Sequence, residues 1–174
     1  MGTERSEVPA PPPHPAPAGQ APVAVIGVGN EFRRDDGAGP AVVARLRGLT
    51  PPWVRLVITD GEPARLVEAW TGAALAVVVD AVRADPPRPG RVHRFVLDRP
   101  RPLDHQASSH GLGLDDAVAL AVALDRMPGR LIVHAIEAAD LGQGPGLTPP
   151  VAAAVAAVAG SVLADLRAPS QPAS

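Results

Sequence analysis

The chain has 174 residues, which favours one domain, and a chain of that length buries roughly 70% of the surface its unfolded form exposes. A formal net charge of −2 and a pI of about 6.2 give no electrostatic basis for binding nucleic acid or an anionic membrane. There is no cysteine and no lysine, which excludes thiol nucleophiles, thiolate metal sites, a Walker-type phosphate lysine and Schiff-base chemistry.

Residues 1–20 are expected to be a disordered, partly polyproline II tail. Pro9, Pro11, Pro12, Pro13, Pro15 and Pro17 fix φ and remove backbone donors, and few large apolar side chains are present to offset ordering entropy. A proline-rich docking motif is the alternative reading of this segment. No apolar run follows a basic start, so no secretory signal is read. No window reaches the ~18 apolar residues of a membrane-crossing helix, the longest apolar stretch being Val151 to Ala159. A soluble, cytoplasmic protein is expected.

From residue 21 to 168 the pattern alternates between strand and helix. Val23 to Val28 is a continuous apolar run, suited to a strand buried on both faces, and Gly27, Gly29 and Asn30 break it. Asp35 stands where it would cap a helix running from about Asp36 to Arg47, with Val42, Val43 and Leu46 on its apolar side. Trp53 to Thr59 reads as a second strand, ended by Asp60-Gly61. Pro63 suits the first turn of a short helix through Trp70. Leu75 to Val79 reads as a third strand ending at Asp80.

Arg91 to Leu97 alternates Val92, Arg94 and Val96 with His93, Phe95 and Leu97, as a less buried, edge strand does. A helix is expected from about Leu112 to Arg126, with Leu114, Val118, Ala121, Val122 and Leu124 broadly on one face. Leu131 to Ile136 reads as the last strand. The final helix is expected to start near Thr148 as cap, with Pro149 and Pro150 in its first turn and a stripe of Val151, Val155, Val158, Val162 and Leu166. Residues 169–174 are expected to fray. Alternating elements with apolar strands predict an α/β fold: a mostly parallel sheet with helices on both faces.

In such folds ligands collect at the carboxyl ends of the strands. Asp36 follows the first strand, Asp80 the third, and His110 sits in Ser108-Ser109-His110-Gly111 before a helix. Two carboxylates and an imidazole on one rim have the donor chemistry of a first-row transition-metal site. Each residue alone also admits a structural role: Asp36 at the positive end of a helix, Asp80 in a turn, His110 as a cap. Asp80 is the hardest to explain so, because a carboxylate between an apolar strand and Ala81-Val82 is costly to bury without a partner. Gly27-Val28-Gly29 begins like a dinucleotide-binding fingerprint but lacks its third glycine; the alternative is a turn where the backbone passes close to another element. There is no G-x-S-x-G elbow and no H-E-x-x-H zinc motif.

Val25-Ile26-Gly27-Val28-Gly29-Asn30 followed by Asp35-Asp36-Gly37-Ala38-Gly39-Pro40 resembles the opening signature of the hydrogenase maturation proteases. Asp60-Gly61, Val78-Val79-Asp80-Ala81, Ser108-Ser109-His110-Gly111-Leu112-Gly113-Leu114 and Gly146-Leu147-Thr148-Pro149-Pro150-Val151 resemble that family's later landmarks, in order. The resemblance runs from about Val23 to Leu166. It implies a five-stranded twisted sheet in a three-layer sandwich. It also implies an aspartyl endopeptidase whose candidate catalytic and metal-ligating residues are Asp36, Asp80 and His110. Some members carry glutamate where Asp36 stands, and several read Asp-Gly-Gly-Thr where this chain has Asp60-Gly61-Glu62-Pro63, so its substrate preference is expected to differ. Glu137 falls near an acidic position of the family.

The implied partner is the precursor of a nickel–iron hydrogenase large subunit, and the implied metal is nickel, carried by that substrate rather than held permanently. No organic cofactor is implied. Two rivals remain at this point: a non-catalytic assembly factor that recognises the nickel-loaded precursor, and a Rossmann-like nucleotide binder.

Overall fold

A computed structural model of the protein describes residues 21–98 and 114–167. Five runs rich in branched apolar residues form one sheet: β1 (Val23–Val28), β2 (Val54–Thr59), β3 (Leu75–Val82), β4 (Val92–Asp98) and β5 (Arg130–Glu137). Their order is β2-β1-β3-β5-β4. The β1–β2, β1–β3 and β3–β5 pairs are parallel, and only β4 runs antiparallel, against β5. β4 is therefore the edge strand its alternating pattern predicts. Val92 joins one core and Leu97 packs against the other.

The helices are α1 (Ala38–Leu46), α2 (Pro63–Trp70), α3 (Leu114–Ala123) and α4 (Pro149–Arg167). They lie on both faces, as the three-layer reading expects. On one face α1 and α4 cover Val25, Val77, Val79, Ile132 and Ile136. On the other, α2 and α3 cover Ala24, Ile26, Val78, Leu131 and Val133. The alternation of side chains along each strand feeds both cores, which is why the strands read as unbroken apolar runs. Each fully buried valine or isoleucine contributes on the order of 2 kcal/mol.

Local chemistry sets the boundaries. Pro63 is the first residue of α2, and the Glu62 carboxylate before it accepts the Ala64 and Arg65 amides at 3.2 and 3.0 Å. Gly27 and Gly39 let α1 lie directly on the sheet, because a Cβ on Gly39 would sit 2.6 Å from the Val28 nitrogen and the Val79 oxygen. α3 ends at Ala123, three residues before the expected Arg126. Val122 and Leu124 are exposed, and the buried stripe is Leu114, Ala117, Val118 and Ala121. The expected start of this helix at Leu112 lies outside the described residues.

α4 also corrects the expectation that no segment has membrane-crossing character. Its 19 residues hold an 18-residue window apolar enough to meet the requirement by length and composition. Yet one face, carrying Val151, Ala154, Val155, Val158, Ala159 and Val162, is buried beside α1 and the sheet. Alanine on its exposed side raises the hydropathy without marking a lipid-facing surface.

Candidate functional site

The order β2-β1-β3 places the first crossover, through α1, on one face and the next, through α2, on the other. The carboxyl ends of β1 and β3 therefore border a topological switch point, where α/β sheets open a crevice. Asp36 and Asp80 stand at this rim.

Asp80 does not terminate its strand, as its sequence position suggests. β3 runs on to Val82, and Asp80 pairs in register with Ala135 of β5. On its other side the β1–β3 pairing has already ended, its last pair being Gly27 with Val79, while β1 itself runs on to Val28 beside Thr59 of β2. Asp80 thus lies just past the last β1–β3 pair, only 9% exposed. Its Oδ1 accepts the Ala81 amide at 2.7 Å, and among the described residues no basic side chain is paired with it. Burial pushes its carboxyl up to about 7; the Ala81 hydrogen bond opposes this and the nearby Asp36 charge adds to it.

Asp36 is presented by an irregular turn. After β1, Gly29 adopts φ +126°, and a side chain there would collide with the Asp36 carbonyl. Arg34 adopts φ +50°, which is unusual for a residue with a Cβ. A 3-10 turn then spans Arg34–Gly37, where a regular helix from Asp36 onward is expected from the sequence; α1 begins only at Ala38. The Asp36 Oδ2 accepts the Asn30 amide at 3.0 Å and lies 3.7 Å from the Arg33 guanidinium.

Asp35 is not a helix cap. Its side chain is fully buried and accepts from residues more than a hundred positions away. Oδ2 takes the Ala139 amide at 2.8 Å, the Asp140 amide at 2.9 Å and the Thr148 hydroxyl at 2.9 Å, and Oδ1 takes the Thr148 amide at 2.7 Å. Burial alone would raise this carboxyl; the amides of Thr148, Asp140 and Ala139 and the Thr148 hydroxyl outweigh it and hold it below the ordinary aspartate value. The Thr148 hydroxyl, expected to cap α4, is committed to Asp35 instead.

His110 lies outside the described residues, and among the described residues no cluster of three His, Asp or Glu side chains suited to a metal is present. Two polar pairings are not legible in the sequence, although Glu137 and His93 are themselves named there. Glu137, at the end of β5, accepts His93 Nε2 at 2.7 Å and the Arg88 amide at 2.6 Å. The hydrogen bond from His93 holds its carboxyl below the ordinary glutamate value against the cost of burial, with help from the Arg88 amide. Buried His134 meets Asp165 of α4 at 2.9 Å, and Asp165 also meets Arg94 at 2.6 Å. The signal for the first was the alternation that places His93 on the same side as Phe95, whose ring stacks against it at 6.3 Å. The glycines of Gly27-Val28-Gly29 serve helix packing and the Asp36 turn, which accounts for them without a nucleotide.

A family profile described as hydrogenase maturation protease, HycI, matches residues 42–165, so Asp80 and His110 fall within the match and Asp36 precedes it. No curated protein matches the chain. Among solved structures, the hydrogenase maturating endopeptidase HybD from E. coli is 26% identical with a TM-score of 0.68, covering 83% of this chain and 91% of its own. The hydrogenase 2 maturation peptidase from Thaumarchaeota archaeon SCGC_AB-539-E09 is 27% identical with a TM-score of 0.64, covering 83% and 97%. The NiFe hydrogenase maturation protease HybD from Thermococcus kodakarensis is 25% identical with a TM-score of 0.63, covering 83% and 97%.

Proposed function

The chain belongs to the hydrogenase maturation protease family, a family of endopeptidases, and from that premise we propose that it trims the C-terminal extension from a nickel–iron hydrogenase large-subunit precursor after nickel insertion. On this reading it acts in the cytoplasm and meets the substrate-borne nickel through Asp36, Asp80 and His110. Family membership makes it a hydrolase, so neither a non-catalytic assembly factor nor a nucleotide binder is retained.

The observation that carries the nickel reading is the pairing of Asp36 and Asp80 at one rim. Two carboxylates whose charges disfavour one another, one of them buried and unpaired with any basic side chain of the described residues, are a poor arrangement for stability. A divalent cation offsets both costs, and oxygen donors with an imidazole suit a first-row metal. Without thiolates this shell is hard and incomplete, so it binds a free ion weakly. It gains affinity when the ion arrives already held by the precursor's own ligands. Bound there, nickel would anchor the tail and polarise a nearby carbonyl. The chain's own groups orient it: Asp36 steadied by the Asn30 amide, Asp80 by the Ala81 amide.

Replacing Asp80 or His110 by alanine tests the assignment. Each variant is expected to lose processing by more than the ~10–100-fold typical of residues that merely support a metal ligand, while circular dichroism shows the fold retained. Wild-type cleavage by His110→Ala would remove the histidine from the site.

A further inference from the structure

Adjacent residues in a 3-10 turn point about 120° apart, because the turn holds three residues. If Asp35 points inward, the direction available to Asp36 is set. Asp35 does point inward, and it is fixed there by four hydrogen bonds to Ala139, Asp140 and Thr148. The backbone around it is tied to the same partner segment. The Arg34 amide donates to the Gly144 carbonyl at 2.8 Å, the Asp35 amide to the Asp140 carbonyl at 3.0 Å, and the Gly144 amide to the Phe32 carbonyl at 2.9 Å. Arg34, held at φ +50°, is where the chain bends to allow this. The segment after β1 and the 138–148 connection are thus one joined unit.

We infer that Asp35 is a positioning residue for the cleavage reaction: by clamping the 138–148 connection and the start of α4 to the 3-10 turn, it fixes the direction in which Asp36 offers its carboxylate to the precursor. This rests on the reading of Asp36 as a group that contacts substrate. A loop bearing Asp36 would otherwise sample many orientations, and a site gains rate when its groups are held before substrate arrives. The clamp also sets the wall of a neighbouring groove of about 460 Å³, lined by Arg83, Ala84, Pro87, Ala138 and Asp140 among others, so the same carboxylate fixes the surface beside the reacting rim.

The test uses full-length Asp35→Asn, which keeps the side-chain shape but turns one acceptor into a donor facing amide and hydroxyl donors. Cleavage of nickel-loaded precursor is measured together with backbone amide resonances. The Asn30 amide donates to Asp36, so it reports the position of that carboxylate. We expect kcat/KM to fall about 10-fold or more and the Asn30 resonance to move, while those of Val77 and Val133 in the core stay in place. Thr148→Val, which removes only the hydroxyl, is expected to do the same more mildly, about fivefold, and decides the matter should Asp35→Asn fail to fold. Wild-type cleavage with an unmoved Asn30 resonance overturns the inference. So does a loss of activity in which core and Asn30 resonances move alike, since that is general destabilisation. Asp36→Ala separates the two levels. If it is inactive while Asp35→Asn and Thr148→Val cleave normally, only the positioning role fails. If it cleaves as wild type, the reading of Asp36 fails, and the inference with it.

Discussion

Asp35 and Asp36 are neighbours with unlike environments, one sealed among backbone amides and the other 20% exposed at the rim. Their type and spacing do not separate them, because the separation comes from partners 104 to 113 residues away. Asp80 was better marked: a lone carboxylate inside an apolar strand signals a cost, and burial is the cost it carries. That cost has a measurable consequence. A carboxyl raised to about 7 in the folded protein keeps its proton after the unfolded chain has lost its own. As pH climbs from the ordinary aspartate range to that value, stability drains away, and the full penalty persists above it. In nickel-free protein, Asp80→Asn should therefore gain stability relative to wild type between about pH 5 and about pH 8. Paired thermal melts check this, and a difference that ignores pH would mean that Asp80 is not the buried acid described.

Elements were legible where their own side chains define them. β1, β2 and α2 begin and end within a residue or so of their sequence signals, since branched apolar runs, Pro63 and Glu62 act locally. The 3-10 turn before α1 was not legible, because it is imposed by the distant 138–148 segment. β3 was underestimated for a related reason: its last residues pair only with β5, which a reader of one strand does not see. α4 is a core helix by its packing despite its hydropathy. Val158→Ala, at a side chain 1% exposed, should cost about 2 kcal/mol in urea unfolding, and a neutral result would argue against that packing. At the β4–β5 end, Glu137 titrates below its ordinary value, so its contribution is present above the unfolded glutamate pKa. That contribution is lost as acid carries the pH down through the folded one. Glu137→Gln should be less stable than wild type near neutrality and approach it in acid. A gap that persists unchanged in acid would assign the loss to packing rather than charge.

For the whole molecule, the alternation of strand and helix gave the three-layer architecture, and the topology then explains why chemistry gathers at one rim. β1 and β3 are neighbours whose crossovers leave on opposite faces, so Asp36 and Asp80, 44 positions apart in the chain, meet there. Membership of the hydrogenase maturation proteases makes the molecule an endopeptidase; the nickel site, as a proposal, would make it one that inspects its substrate before cutting. On the proposed reading, two carboxylates and an imidazole would bind a lone ion weakly and a substrate that brings the ion well, which would make cleavage conditional on nickel insertion. The most direct measurement is paired. The purified enzyme is analysed for metal, then given the same precursor made with and without nickel. The account predicts little stoichiometric nickel in the enzyme, cutting of the loaded precursor and none of the empty one. Equal cleavage of both precursors would contradict it.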